Sequence, residues 1–375
     1  MLIQARDDYL LTTQWIYDIT QEFAYQFQGF CQFRSQHSSQ NPDTLRLLQA
    51  NKEAWTLPAA VDMLAKLVRG GRVEGVTGQS PMSSQLAYFA TIELARLECL
   101  IGDHSASLNT ISRLHITERN ELFATLPICM FNVYYHIAVC HMLSKAHASA
   151  LDVFSDIILY VLRILKPGAG YTLAKGVPQT LHRMLDKALH LTALLLTITP
   201  SYAVDDQVRD AVNSKCEEKM RRLRSGEKQA AVEMWESNCP KFISPLVDYG
   251  TAASAGHSVF ELQSSVLIEE VMQHVGFIKL RSYLSMYASV DIGKLARIME
   301  VSEGDLVALL LSYKHKYRGN RGEVDFHIDG DVLVVQSSGA GKGAEGKAEK
   351  FFVGGVRKHE EISRSLKKTF ASLGL

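Results

Sequence analysis

The run from Val275 to Gln336, VGFIKLRSYLSMYASVDIGKLARIMEVSEGDLVALLLSYKHKYRGNRGEVDFHIDGDVLVVQ, decides the fold. Ile278, Leu280, Tyr283, Leu284 and Tyr287 recur at helical spacing, and the pattern breaks at Ala288 to Ile292, where β-branched residues predict a short extended segment. A second helix is expected from about Gly293, carrying Leu295, Ala296, Ile298 and Met299. Ser302, with Glu303 and Asp305 behind it, places a capping oxygen and negative charge at the exposed amides of a third helix, expected to run to about Lys316. Val324, Phe326 and Ile328 then alternate with polar residues, Asp329-Gly330 makes a tight turn, and Val332 to Val335 return as the second strand of a hairpin. Helices followed by such a hairpin spell a winged helix. A groove-reading third helix would be polar and basic. Leu306, Val307, Ala308, Leu309, Leu310 and Leu311 are instead apolar nearly all round, which predicts packing against protein on more than one side.

The run KLRSYLSMYASVDIGKLARIMEVSEGDLVALLLSYKHK, followed by EVDFHIDGDVLVV, resembles the winged-helix half of the PCI-domain family, in particular its subunit l branch from eukaryotic translation initiation factor three. RSYLxxY, the KLA of the second helix, the KHK after the third and EVDFxID of the wing carry the likeness. The resemblance implies a helical-repeat arm ahead of the winged helix and membership of the PCI–MPN core that binds the small ribosomal subunit. It also implies neighbours among the other PCI subunits, with subunits k and e first.

The resemblance extends along the chain. WIYDITQEFAYQFQGFCQF, Trp15 to Phe33, puts Ile16, Ile19, Phe23, Phe27 and Phe30 on one helix face, with Tyr25 and Phe33 beside it, and so reads as a core-facing stripe. It also resembles the aromatic, glutamine-rich YQFQxFxQ segment of the subunit l branch. Members of that branch carry a further region ahead of it, so this chain is expected to be naturally short there or its sequence to start late. A helix pair is expected around Leu57 to Leu67, before the Gly-rich break from Gly70 to Pro81.

Leu94 to Leu114 then reads as helix, Gly102-Asp103 turn, helix, and Tyr134 to Leu165 as helix, Ser144-Lys145 turn, helix. The small residues Ala106 and Ser107 follow one turn, Ala148 and Ala150 the other, at a period of about 43 residues that fits an α-solenoid. Gln179 to Ile198 and Asp205 to Leu223 are two further helices, ended at Pro200 and Gly226. ESNCPKFISP, Glu236 to Pro245, cannot continue a helix and matches the branch's CPKFxSP, so it marks a bend between arm and module.

The expected architecture is mainly α, a TPR- or HEAT-like helical-repeat arm leading into a winged-helix PCI module and a C-terminal helix. The expected divisions are an N-terminal helical region (1–80), the arm (81–246), the PCI module (247–337), and a flexible linker with a terminal bundling helix (338–375).

Forty basic and forty acidic residues leave no global field for nucleic acid. Two acidic residues follow the opening MLIQAR before any long apolar run, so no secretory signal is expected, and Leu191 to Ile198 is too short to cross a bilayer. A cytoplasmic protein follows. Cys31, Cys99, Cys129, Cys140, Cys216 and Cys239 form no CxxC pair and read as reduced thiols.

Catalysis finds no residues. GKGAEGK, Gly341 to Lys347, fits GxxxxGK, but Ala348 stands where the magnesium-binding hydroxyl belongs, and a wing strand precedes it, so it reads as linker. His136, Cys140 and His141 sit one turn apart with no further ligand at a characteristic spacing, and read as polar residues satisfied within a helix pair. HExxH and GxSxG are absent. No catalytic, cofactor or metal residue is expected.

The expected binding surfaces are two. Val324, Phe326, Val332, Leu333 and Val335 of the wing would present a sheet edge to a neighbouring subunit. Phe352, Val356, Ile362, Leu366 and Phe370 would form the apolar face of a tethered terminal helix that needs partner helices. Two basic clusters offer RNA contact or a solvated face: Lys215, Lys219, Arg221, Arg222 and Arg224, then Lys314, His315, Lys316, Arg318 and Arg321. Other readings of the whole are a PCI scaffold of the proteasome lid or signalosome, and a free-standing winged-helix RNA binder. EVDFHID and CPKFISP favour the initiation factor.

Overall fold

A computed structural model describes residues 11–35, 41–70, 81–114, 126–166, 176–200, 202–244, 259–317 and 325–336. The chain divides into two compact units, Met1–Val275 and Gly276–Leu375.

In the first unit the described elements are all helices: α1 (Thr13–Ser35), α2 (Pro42–Ala50), α3 (Leu57–Gly70), α4 (Pro81–Leu100), α5 (His104–Ser112), α6 (Pro127–Leu143), α7 (His147–Leu165), α8 (Val177–Ile198), α9 (Asp206–Ser225), α10 (Lys228–Glu236) and the start of α11 (Val259–Met286). From α3 to α9 each packs mainly on its sequence neighbours, as stacked hairpins do.

The repeat is visible in single hydrogen bonds. α4 ends with Asp103 N–H donating to Glu98 O and Gly102 N–H to Cys99 O, Gly102 being left-handed at φ 92°. Forty-three positions later α6 ends the same way, Ala146 to His141 and Lys145 to Met142, with Lys145 at φ 61°. The small residues behind the turns correspond too, since Ser107 and Ala150 are both buried. Ser107 Oγ donates to Ala95 O at 2.8 Å, tying α5 to α4.

The main core runs through α6 to α11 and includes Phe154, Leu191, Val212 and Trp235, whose indole N–H donates to Ser264 Oγ at 2.8 Å. All six cysteines are buried and free.

α1 departs from expectation. Its buried face is Ile16, Tyr17, Thr20, Ala24, Phe27, Gln28, Cys31 and Arg34. Ile19 is exposed, Phe23 and Phe30 are half-buried against Trp55, and Trp15, Tyr25 and Phe33 face outward. The aromatic stripe straddles the edge of the interface because polar Gln28 and Arg34 are drawn inside by specific partners. α10 was not expected; its Met234 and Trp235 are core residues.

The second unit holds the rest of α11, then β1 (Ser289–Asp291), α12 (Ile292–Met299), α13 (Glu303–Tyr317), β2 (Asp325–Asp329) and β3 (Val332–Gln336). The antiparallel sheet has the order β1-β3-β2, pairing Val290 with Leu333 and Leu333 with Ile328. Asp291 Oδ1 accepts from Lys294 N–H to cap α12, and Ser302 Oγ accepts from Asp305 N–H to cap α13. Phe277, Leu280, Leu284, Leu295, Leu306, Leu310, Tyr313, Phe326 and Leu333 build the core. This is the winged helix that the sequence predicts.

One expectation needs correction. α13 buries only the face of Leu306, Leu310 and Tyr313, leaving Leu311 58% exposed and Ala308 exposed, so it is not enclosed on several sides. The helix that carries Ile278 to Tyr287 starts at Val259, with Leu267, Ile268, Val271 and Val275 extending its apolar stripe backwards.

Candidate partner-docking cleft

Two of the family-like segments, that of α1 and the CPKF run, more than two hundred positions apart, meet. Residues 237–244, the CPKF run, leave helical geometry after α10 and lie across the ends of α1 and α4. Ile243 N–H donates to Leu100 O at 2.9 Å, Gln28 Nε2 to Lys241 O at 2.7 Å, and Tyr135 O–H to Asn238 O. Cys239, Phe242 and Ile243 are buried, with Phe242 stacked on Trp235. Pro240 cannot extend the helix before it, and side chains take over the bonding that a helix would have supplied.

Strap and α1 together wall a cleft of about 660 Å³, closed by α4, α6 and α8. Arg96 of α4 sits at its floor. Its guanidinium pairs with Glu93 at 3.1 Å, donates to Gln28 Oε1 at 3.2 Å and covers the Tyr25 ring. Burial pushes the Glu93 carboxyl up while the adjacent guanidinium pulls it back, and Glu93 itself keeps Arg96 charged despite its burial. The Arg96 Nε–H is buried and meets no acceptor. Lys187 and Lys241 stand at the cleft as further cations, and among the described residues none of the lining is an Asp or Glu. The cleft can therefore hold a carboxylate or backbone carbonyls presented by another chain.

Sequence reasoning took the α1 run as core and missed this site. The signal was present: Gln21, Tyr25, Gln28 and Gln32 are spaced four, three and four residues apart, a polar stripe at helical period on an otherwise aromatic helix, and all four line the cleft. Arg96 carries no sequence signal.

His136 also lines the cleft, with Nδ1 2.6 Å from Asn132 O, so the polar-residue reading fits it. Burial, with Arg96 nearby, lowers its pKa to about 3. His136, Cys140 and His141 do not converge as one ligand set; Cys140 lies instead beside Cys99 and His104.

The first basic cluster is partly neutralised. Lys215 pairs with Asp186 at 3.0 Å, Arg222 with Glu227 at 2.5 Å and Glu233 at 3.3 Å, and Lys219 lies 3.1 Å from His190 Nε2, while Arg221 and Arg224 are exposed. In the second, Lys314 donates to Phe326 O at 2.5 Å and lies 3.4 Å from Asp325, and His315 and Lys316 are exposed. Arg318 and Arg321 fall outside the described residues, as do Val324, the Gly341 to Lys347 run and the terminal Phe352, Val356, Ile362, Leu366 and Phe370.

In the wing, Phe326 and Leu333 are core side chains and cannot also face a partner; Val335 is half-buried and Val332 is 40% exposed. β3 is the middle strand, so the edge beyond the hairpin belongs to β2. There the Phe326 amide is taken by Asp325 Oδ1 and its carbonyl by Lys314.

Stacked helical hairpins and a winged helix define a mainly α, PCI-like class of protein. Residues 1–358 match the family described as "RNA polymerase I-associated factor PAF67", and the chain belongs to that family. Similar curated proteins are named "Eukaryotic translation initiation factor 3 subunit L". That of Nematostella vectensis is 30% identical over 396 residues, 95% of this chain and 72% of the relative. Those of Danio rerio and Homo sapiens are 27% identical over 395 residues, 96% of this chain and 66% and 68% of the relatives. The chain thus spans about two thirds of the length of these relatives.

Proposed function

We propose that this chain is a non-catalytic scaffold subunit of translation initiation factor three, supporting assembly of the complex and of the pre-initiation complex on the small ribosomal subunit. Its setting is the cytoplasm, and its neighbours are other PCI subunits, with k and e first. The single observation that carries this reading is the convergence of the YQFQ and CPKF segments on the Arg96 cleft, in a chain similar to subunit L relatives along nearly its whole length. Segments so distant that jointly build a cationic cleft fit the reception of a partner segment better than they fit catalysis. Among the described residues the cleft offers no nucleophile paired with a base.

The outer face of the wing, with Ile328 and Val332, and the segment carrying Phe352, Val356, Ile362, Leu366 and Phe370 are proposed as further partner surfaces. Deleting residues 350–375 should release the subunit from its complex.

Affinity purification of the tagged chain, followed by identification of bound proteins, tests the whole reading. Initiation-factor subunits are expected. Recovery of RNA polymerase I, proteasome-lid or signalosome subunits in their place overturns it. Lys187→Glu with Lys241→Glu, both exposed positions, should lower partner capture by at least about tenfold if the cleft is used.

A further inference from the structure

Cys99 lies at the end of α4, His104 opens α5 and Cys140 lies on α6, and their ligand atoms are all within 4.8 Å of one another. Both cysteines are fully buried. His104 Nε2 lies 3.5 Å from Gln263 Oε1 on α11. An Nε2–H donated to that amide oxygen fixes the tautomer and turns the lone pair to Nδ1. Nδ1 is itself buried and makes no well-formed hydrogen bond, its polar neighbour being the Cys140 thiol.

From this arrangement we infer that Cys99, His104 and Cys140 form a site for a thiophilic divalent cation of the zinc type, stapling the first helical hairpin of the repeat to the second. Two sulfurs and one imidazole nitrogen are the soft donor set that selects zinc. Zinc holds sulfur at about 2.3 Å and nitrogen at about 2.0–2.1 Å, so donor atoms already within 4.8 Å need close only slightly around an ion. An amide oxygen accepting from the far nitrogen of a ligating histidine is the usual outer support of such sites, and Gln263 occupies that place. On binding, each thiol gives its proton to solvent and each sulfur forms a bond to the metal. The product of one M²⁺ and two thiolates is neutral, which suits a buried position. A water completes the tetrahedron. The site has no local sequence signature because its ligands come from three helices and share no CxxC or HxxxH spacing.

The test uses the full-length chain, stripped with a chelator and kept under a non-coordinating reductant. Titration with Co²⁺ should give one equivalent bound with a thiolate-to-cobalt charge-transfer absorption, and Zn²⁺ should displace it. Cys140→Ser and His104→Ala should each weaken binding at least about tenfold, while Cys216→Ser, another buried cysteine, should leave it unchanged. No charge-transfer band from the unaltered chain overturns the inference, whatever the variants do. So does equal binding by the Cys140→Ser and Cys216→Ser chains. A Cys99–Cys140 disulfide on mild oxidation, with no metal taken up under reductant, likewise overturns it.

Discussion

The Arg96 guanidinium lies over the Tyr25 ring, 3.9 Å from its centroid, while its other groups pair with Glu93 and Gln28. One cation thus satisfies an aromatic face, a buried carboxylate and an amide at once, and only the ring is on an exposed residue. Removing the cation strands the carboxylate. Arg96→Met is expected to cost about 3–5 kcal/mol, and adding Glu93→Leu should recover most of it, because replacing both partners leaves no buried charge unpaired. Denaturant midpoints of the two variants against the parent check this; equal loss in both would mean that Arg96 acts through packing alone.

Acid should destabilise the first unit before the carboxylates titrate. Burial, then the Arg96 cation, hold His136 neutral down to about pH 3, whereas an unfolded histidine takes its proton near pH 6.5. Between these values the unfolded chain binds more protons, so stability falls as pH is lowered, by up to about 1.4 kcal/mol per pH unit from this group. His190, also lowered by burial, adds in the same direction. His136→Gln should flatten the slope between pH 6 and 4 in a series of urea titrations.

Two helix ends carry a side chain where glycine fits better. Lys145 at φ 61° and Glu300 at φ 59° close α6 and α12 with the same bonds that Gly102 and Gly226 make at α4 and α9. Lys145→Gly and Glu300→Gly should each stabilise by a few tenths to about 1 kcal/mol, the relief of left-handed strain less the entropy of a freer unfolded chain. A rise in melting temperature is the readout. A fall would mean that the long side chains hold neighbours worth more than the strain.

Proline separates the strands of the wing. Leu333 lies on β3 between Val290 and Ile328, so Leu333→Pro should unfold the module. Ile328 is on the edge strand and partly exposed, and Ile328→Pro should leave the module folded. Circular dichroism and limited proteolysis distinguish the two.

The winged helix was legible because its cues are local. Ser302 caps α13 and Gly330 sits in the hairpin turn, each within a few residues of the bond it makes or permits. The period of the arm was legible for the same reason, through Gly102 and Lys145. The sidedness of α1 was not. Gln28 and Arg34 point inward only because Lys241 O, Arg96 and the Cys31 sulfur wait there, and two of those three partners lie far away in sequence. Sequence proximity groups Cys140 with His136 and His141 on its own helix, while the neighbours it meets, Cys99 and His104, come from the preceding hairpin. The outward exposure of Leu311 has no sequence cue, because composition shows how apolar a helix is and not how many neighbours it has.

The strap between Lys241 and Gln28 also bears on the order in which the protein is made. The two residues are 213 positions apart, and the amide of the early one stays without its carbonyl until most of the chain has left the ribosome. Hairpins α4–α5 and α6–α7 close on themselves over short loops and can form as they emerge. The bond between Gln28 and Lys241 is therefore among the last contacts of α1 to close, whereas Ile16, Tyr17, Phe27 and Cys31 have α4 to pack on much earlier. During that interval the strap side of the Arg96 cleft lies open, so newly made chains are the ones in which a partner segment or a chaperone gains easiest access to it.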